Sequence, residues 1–328
     1  MKISDSLKQG IIREMEPVIS VLGLKNTNYI FNKIFSNGRK FPYFRDDVFR
    51  CLIDAFGNKN IKDLIYLDLG AGYGLSLLEG LLEGFDVYGI EPSPNSFQGR
   101  YAIALELMKE NGIANPERRL FNCYGENMNN IPDNFADVVY SYQVLEHVQD
   151  IDRVLLETKR ILKPKSIAYF TMPNYNSIYE GHYEILWIPY LLSKSKKLAK
   201  LYLKFINRNP SYVDWLNFTT PTYIRKKAEK VFKKDNIYLL PWGIRYLGIL
   251  NKYIYAVGLL DFYIKLKIRG KDINQLKENK RMIFPFIKNN ELFNNIWLLN
   301  LLLVITSIIL FIFQPFVPDF RLIIINDD

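Results

Sequence analysis

Along the chain the spacing of apolar positions switches between two patterns, and the switches mark out alternating strands and helices. Leu64 to Leu67 is a short unbroken apolar run, as expected of a strand buried on both faces. Leu75-Ser76-Leu77-Leu78-Glu79 then reads as the first turns of a helix that ends near Gly84. The unit repeats. Residues 85–90 predict a strand, Ser93 to Asn111 a helix stopped at Gly112, and 120–124 a short strand. Residues 136–142 and 166–171 predict two more strands, joined by an amphipathic helix from Ile151 to Leu162 that ends at Lys163-Pro164. Thr220-Pro221, an N-cap followed by proline at the first helical position, opens a helix running through Lys234 and leads to a sixth strand at 237–240. Alternation of this kind predicts an α/β fold with a doubly wound sheet. Ahead of it, Asp47 to Phe56 has apolar residues at helical spacing and ends at Gly57, so residues 1–60 are expected to be a helical N-terminal segment.

The second half departs from that rhythm. Between Ser193 and Ile206, Leu198, Leu201, Tyr202 and Phe205 share one helical face, and Lys196, Lys197, Lys200 and Lys204 share the other. This is the pattern of a helix lying in a membrane interface, or of a surface helix packed on a core. Residues 296–313 hold no charge and are interrupted only by Asn300, Thr306 and Ser307. As a helix they would extend about 27 Å, just enough to cross a bilayer. The segment after them, Phe320-Arg321-Leu322-Ile323-Ile324-Ile325, reads as a final strand. A single crossing would leave that strand on the far side of the membrane. The favoured expectation is therefore a return of the strand to the sheet, with 243–318 an apolar helical insertion dipping into one leaflet. A single-span tail anchor and a buried helix in a soluble chain are the alternatives.

Charge sharpens this picture. The 328 residues carry a net +9. Residues 191–236 alone contain twelve lysines and arginines against Asp214, Glu229 and Asp235, so the excess is concentrated there. A basic block of this kind suits an anionic partner such as a membrane surface, a phosphorylated substrate or nucleic acid. Two cysteines, Cys51 and Cys123, give no disulfide framework and predict a reducing compartment. Met1 to Asp5 lacks the apolar core of a signal peptide. No Cys, His and acidic residues have metal-ligand spacing in the sequence, so no required metal is expected.

The candidate chemistry starts at Asp68-Leu69-Gly70-Ala71-Gly72-Tyr73-Gly74, between the first strand and its helix. Strand, glycine turn and helix N-terminus together form a nucleotide-cofactor site. The dinucleotide pattern G-x-G-x-x-G would put its third glycine at 75, which is leucine; the spacing here is an acid followed by G-x-G-x-G. Glu91, at the end of the second strand and 17 residues after Gly74, is placed to accept both hydroxyls of a ribose.

These residues resemble the first motif of class I S-adenosylmethionine-dependent methyltransferases. Asp137-Val138-Val139-Tyr140-Ser141-Tyr142-Gln143-Val144-Leu145-Glu146-His147-Val148 closely resembles a second motif, found in the small-molecule members that act in quinone biosynthesis. A third, R-I-L-K-P-G-G, is present as Arg160 to Ser166 with both glycines missing. The resemblance implies an N-terminal helical lid at 1–60 and a seven-stranded Rossmann-like sheet over a core at 61–242, with a basic, amphipathic insertion at 175–220 and the last strand and tail at 319–328. It implies S-adenosyl-L-methionine as cofactor, held by Asp68, Gly70, Ala71, Gly72, Gly74, Glu91 and Gln143, with Glu126 or Asn127 against the adenine. His147 and His182, the two histidines of the chain, are the candidate bases. Tyr142, Asn174, His182 and Tyr183 are the candidate acceptor-binding residues. No N-P-P-Y-type string follows the fourth strand, which argues against nucleic acid as the acceptor. The expected activity is O-methylation of a lipid, quinone precursor or lipid-linked sugar at the cytoplasmic face of the cell membrane. A non-catalytic, membrane-bound cofactor-binding module and a soluble small-molecule methyltransferase are the alternatives.

Overall fold

Two helices precede the sheet in the computed structural model, which describes residues 1–24, 26–35, 49, 60–93, 99–242, 249–269 and 295–327. Helix α1 (Asp5–Leu22) starts at Ser4, whose hydroxyl accepts a hydrogen bond from the Leu7 amide at 3.2 Å, and α2 (Thr27–Phe35) follows. Apart from Phe49, which is buried, the helix expected at 47–56 lies outside the described residues.

Strand β1 (Ile65–Leu69), helix α3 (Leu75–Leu82) and strand β2 (Asp86–Ile90) form the first unit. Helix α4 (Arg100–Glu110) starts later than Ser93, whose amide donates to the Asn122 side chain, and β3 (Leu120–Phe121) is only two residues long. Strand β4 (Ala136–Tyr142) and helix α5 (Ile151–Ile161) fall where the periodicity puts them, and β5 (Leu162–Pro173) is longer than predicted at both ends. The short pair β6 (Tyr179–Glu180) and β7 (Ile185–Leu186) forms a separate hairpin. Helices α6 (Lys196–Phe205) and α7 (Pro221–Ala228) are followed by β8 (Ile237–Trp242); α7 stops six residues before the expected Lys234. Then come α8 (Ile249–Ile268), α9 (Ile296–Phe313) and β9 (Asp319–Asn326).

The seven strands order as β3-β2-β1-β4-β5-β9-β8, parallel from β3 to β5. Strand β9 runs antiparallel between β5 and β8, pairing from Ser166↔Asn326 to Pro173↔Asp319 on one side and from Ile237↔Ile324 to Trp242↔Asp319 on the other. Its continuous apolar run suits a strand covered on both faces. The chain reverses direction across the sheet between β1 and β4, and ligands of open α/β sheets bind at such a switch point. Two apolar cores cover the sheet, and a third, smaller core of Leu22, Tyr175, Trp187 and Leu203 among others lies under the 175–220 insertion.

The turn with the missing glycines bears on local stability. Lys165 sits at φ 57°, in the left-handed region that glycine occupies without strain. A β-carbon there costs on the order of 1–2 kcal/mol.

Helices α8 and α9 settle the conflict over the apolar tail. Strand β8 precedes α8 and β9 follows α9, and these two strands are hydrogen-bonded neighbours. Both ends of the insertion are therefore tied to one sheet, which overturns the single-span tail anchor. Helix α8 packs on β8 so closely that a β-carbon at Gly258 would lie 2.7 Å from Pro241. Two of the polar breaks in α9 bond to α8: the Thr306 and Ser307 hydroxyls donate to the buried Asp261 carboxylate at 3.0 and 3.3 Å, and Lys265 pairs with the same carboxylate, while Asn300 is exposed. Trp297, Leu301, Val304, Ile305, Ile308, Phe311 and Ile312 stay exposed along α9. The segment Trp297–Phe316 is long and apolar enough to cross a membrane by length and composition.

Candidate active site

The site is built at the C-terminal edge of the parallel strands, where β1 gives way to its glycine loop. Gly70, Gly72 and Gly74 have φ of 78°, 58° and 73°, a backbone path that side chains disfavour. At Gly70 space is also decisive, because a β-carbon would lie 2.5 Å from a Val144 methyl. The loop crosses the end of β2: the Gly70 and Ala71 amides donate to the Ile90 carbonyl at 3.0 and 2.9 Å, and the Gly72 amide donates to Glu91 Oε2 at 2.8 Å. Gly74 caps α3 without a side-chain acceptor, so the first-turn N–H groups remain for a ligand. Asp68 and Glu91 are both buried. The Tyr140 hydroxyl lies against Ser76 and Asp68; burial first, and then the Asp68 charge, push its pKa well above 10, so it stays neutral.

Two buried carboxylates, a glycine loop and an uncapped helix N-terminus fit a ligand that combines a ribose diol with a cationic end. Asp68, Gly70, Ala71, Gly72, Gly74 and Glu91 are brought together here.

The other side of the site comes from the turn after β4 and from the insertion. The turn is held by Asn217, whose amide donates to the Glu146 carbonyl at 2.6 Å and whose side chain donates to the Leu145 and Val148 carbonyls at 3.3 and 2.6 Å. His147 thereby meets His182, from the loop joining β6 and β7, edge to face at 5.3 Å between ring centroids. Tyr212 packs on both rings, at 6.2 Å from His147 and 5.6 Å from His182. His182 Nδ1 bonds Glu180 Oε1 at 2.8 Å, and Glu180 Oε2 accepts from the Tyr183 amide at 2.7 Å. Burial works to lower the His182 pKa, but the Glu180 charge and hydrogen bond outweigh it and raise the pKa above its usual 6.5. Burial pushes Tyr212 up to about 12, against the opposing pull of Arg100.

Glu146, fully buried, and the two histidines each bring one ligand-capable atom within 4.8 Å of the others. These three residues could hold a metal ion. Linear spacing concealed the group because His182 reaches it from a hairpin 35 residues downstream.

Several candidates are placed elsewhere. Asn174 is buried, and its side-chain amide donates to the Gln314 and Val317 carbonyls at 3.0 and 2.8 Å while its oxygen accepts from the Asn176 amide at 3.0 Å. All of this ties β5 to the segment after α9. Tyr183 belongs to the small third core, with its hydroxyl donating to the Asn209 carbonyl at 2.7 Å, so it too supports the site from behind. Glu126 Oε1 accepts from the Gln149 and Asp150 amides at 2.7 and 3.3 Å, just ahead of α5, which commits the carboxylate to that turn. Asn127 is exposed. Gln143 (φ 56°) reaches Asp319 at 3.3 Å with its side-chain nitrogen, on the β9 side of the turn. Tyr142 remains half-buried at the edge, against Tyr140.

Sequence reasoning missed Tyr212 and an N-terminal latch. Arg100, at the start of α4, stacks its guanidinium 5.3 Å from the Tyr73 ring centre and pairs with Glu14 of α1 at 3.3 Å. The Tyr73 hydroxyl donates to the same carboxylate. Burial disfavours the Arg100 charge, but Tyr73, Glu14, Glu91 and Tyr212 around it more than compensate and keep it protonated. Tyr73 was legible only as a loop residue. Nothing local in the sequence pairs it with Glu14, 59 residues earlier.

Comparison with known proteins adds a family. A family model described as "Methyltransferase domain" matches residues 41–230, more than half of the chain. An uncharacterized protein of Mycobacterium tuberculosis is 32% identical over 131 residues, covering 38% of this chain and 43% of that protein. The chain thus spans less than half the length of that relative. A ubiquinone biosynthesis O-methyltransferase of Rickettsia bellii is 29% identical over 209 residues, covering 61% of this chain and 72% of its own length. A thiol S-methyltransferase of Rattus norvegicus is 30% identical over 149 residues, covering 45% and 57%. Among solved structures, Haemonchus contortus phosphoethanolamine N-methyltransferase 2 in complex with S-adenosyl-L-methionine aligns at TM-score 0.47 and 14% identity, over 97% of this chain and 60% of that one.

Proposed function

The chain belongs to the methyltransferase domain family, and from that premise we propose that it methylates a hydroxyl of a membrane-borne amphiphile, using S-adenosyl-L-methionine, at the cytoplasmic membrane face. The single observation that carries the reading is the joint placement of the two halves of the site. The Glu91-braced glycine loop and the His147–His182 pair stand at the same edge of one sheet.

S-adenosyl-L-methionine supplies a methyl group activated by its sulfonium. The protein's own residues do the rest. Glu91 accepts the ribose hydroxyls, and the Gly70–Gly74 backbone keeps that end of the cleft free of side chains. Holding the acceptor oxygen in line with the methyl is the largest contribution available to such an enzyme. His182 donates Nδ1–H to Glu180, which leaves Nε2 to take the proton from the acceptor hydroxyl. Glu180 then stabilises the imidazolium. His147 and Tyr212 wall the histidine in, and Tyr142 stands at the edge of the cleft where an acceptor would enter.

The membrane part is supported by two exposed apolar surfaces. One is the outer face of α9. The other is the segment with Leu186, Ile188 and Leu191, continued on α6 by Leu198, Leu201 and Phe205, beside lysines 194, 196, 197 and 204. The Tyr190 hydroxyl and Gln314 side chain join the two regions at 3.4 Å. With both ends of the insertion tied to the sheet, α9 lies in one leaflet.

The test incubates the protein with methyl-labelled S-adenosylmethionine and a membrane extract, then separates organic and aqueous phases. Label in the organic phase, absent with Glu91→Ala, is the expected outcome. Label confined to the aqueous phase would move the acceptor to soluble molecules, and label in neither phase despite cofactor binding would favour a non-catalytic binding module.

A further inference from the structure

Next to the histidine cluster, on the far side of Asn217, lies a cavity of about 430 Å³. Its lining includes Lys194 and Lys196, the hydroxyls of Ser193, Ser195 and Thr220, and Tyr223, with no carboxylate among the described lining residues. A cavity carrying two cations, several hydroxyl donors and no acid selects for an anion.

The backbone reinforces that selection. Helix α6 starts at Ser195 with no side-chain cap, so its first-turn N–H groups are not satisfied by a cap. Thr220, also in the lining, stands at the start of α7. The wall is ordered from behind: Ser193 Oγ donates to Asn176 Oδ1 at 2.8 Å, and Lys196 Nζ donates to the Asp214 carbonyl at 3.0 Å. On one side the cavity borders Tyr190, which is bonded to Gln314 at the end of α9. On the other, Asn217 also holds the turn that carries Glu146 and His147. The cavity thus lies between the exposed apolar surface and the candidate active site.

We propose that this cavity binds the phosphate of a lipid headgroup. Lys194 and Lys196 neutralise the phosphate, the Ser195 and Thr220 hydroxyls and α6 amides donate to its oxygens, and the attached chains extend over Tyr190 toward Ile188 and Leu191. The proposal rests on the reading that the protein works at a leaflet, and it narrows the ligand there to phosphate-bearing amphiphiles.

The full chain is titrated with three probes followed by calorimetry: dihexanoyl phosphatidic acid below its micelle concentration, dihexanoylglycerol, and inorganic phosphate. Phosphatidic acid is expected to bind at least tenfold tighter than either of the others. Lys194→Gln, at an exposed position with no role in the histidine site, should weaken it about tenfold, the loss of one charge-assisted contact. Lys196→Gln should do the same, and the Lys194 variant guards against any structural effect of freeing the Asp214 carbonyl. Inorganic phosphate binding as tightly as phosphatidic acid would retain the anion site but overturn the lipid as its source. Equal binding of dihexanoylglycerol and phosphatidic acid, or no change in the Lys194→Gln/Lys196→Gln double variant, would overturn the proposal. S-adenosylmethionine binding, measured on the same samples, separates the readings: its absence alongside intact phosphate binding would bring down methyl transfer and leave the cavity standing.

Discussion

The glycine loop and the histidine cluster occupy one sheet edge but hold their residues by different means. Around Asp68 to Gly74 and Glu91, nearly every critical contact is made by backbone: positive φ at three glycines, two amides on the Ile90 carbonyl, one on Glu91. Around His147 and His182 the contacts are between side chains brought from the β4 turn, the β6–β7 hairpin and residue 212. Backbone geometry is encoded within a few residues. A side-chain cluster depends on three separate stretches arriving together, so it is the more easily rearranged of the two.

The comparison can be broken most sharply on the histidine side. His182→Ala should lower kcat about 10³-fold with S-adenosylmethionine binding unchanged, within the range for removing a general base; His147→Ala, losing only a wall of the site, should fall much less. Steady-state kinetics with parallel cofactor titration would check this, and equal losses would reassign the base. Glu91→Ala should do the reverse, weakening S-adenosylmethionine about 100-fold by equilibrium dialysis, through loss of charge-assisted hydrogen bonds. An unchanged affinity would remove the glycine side from the cofactor site.

The supporting residues give smaller effects. Asn174→Ala removes three hydrogen bonds, two of them buried, and should cost about 2 kcal/mol in denaturant unfolding. The same variant should leave cofactor affinity intact, which separates a structural Asn174 from an acceptor ligand. A pH profile tests the Glu180–His182 pair. Glu180 raises the His182 pKa, so the neutral base accumulates, and the rate climbs, as pH rises through that raised value. Glu180→Gln removes the charge that favours the imidazolium, lowers the pKa and should move the climb to lower pH. Lys165→Gly, far from both halves of the site, should raise stability by about 0.5 kcal/mol by relieving a left-handed side chain.

The spacing of apolar residues was enough to predict the strand–helix alternation, the extent of β4, α9 at residues 296–313 and a last strand after it. The acid and three glycines were enough to locate the first half of the site, because a tight backbone turn leaves its requirement in the residues that make it. Other features depended on partners distant in the chain. Asn174 and Tyr183 looked like site residues by position, yet the carbonyls of Gln314, Val317 and Asn209 engage them. Glu126, one of two candidates against the adenine, has one oxygen engaged by the turn before α5. Tyr212, Arg100 and the approach of Glu146 to both histidines had no local signal at all.

The apolar helix marks the same boundary. Its length and lack of charge, read along the chain, are those of a membrane span. Only the pairing of β9 between β5 and β8 brings its far end back to the sheet, and Asp261 of α8 engages the hydroxyls of Thr306 and Ser307. Periodicity and turn chemistry act over a few residues, so the sequence by itself determined the elements and the glycine loop. Partners of buried polar groups and the return path of the chain are set by contacts across tens to hundreds of residues, so the tertiary structure alone decided the histidine cluster, the supporting roles and how the apolar helix is held.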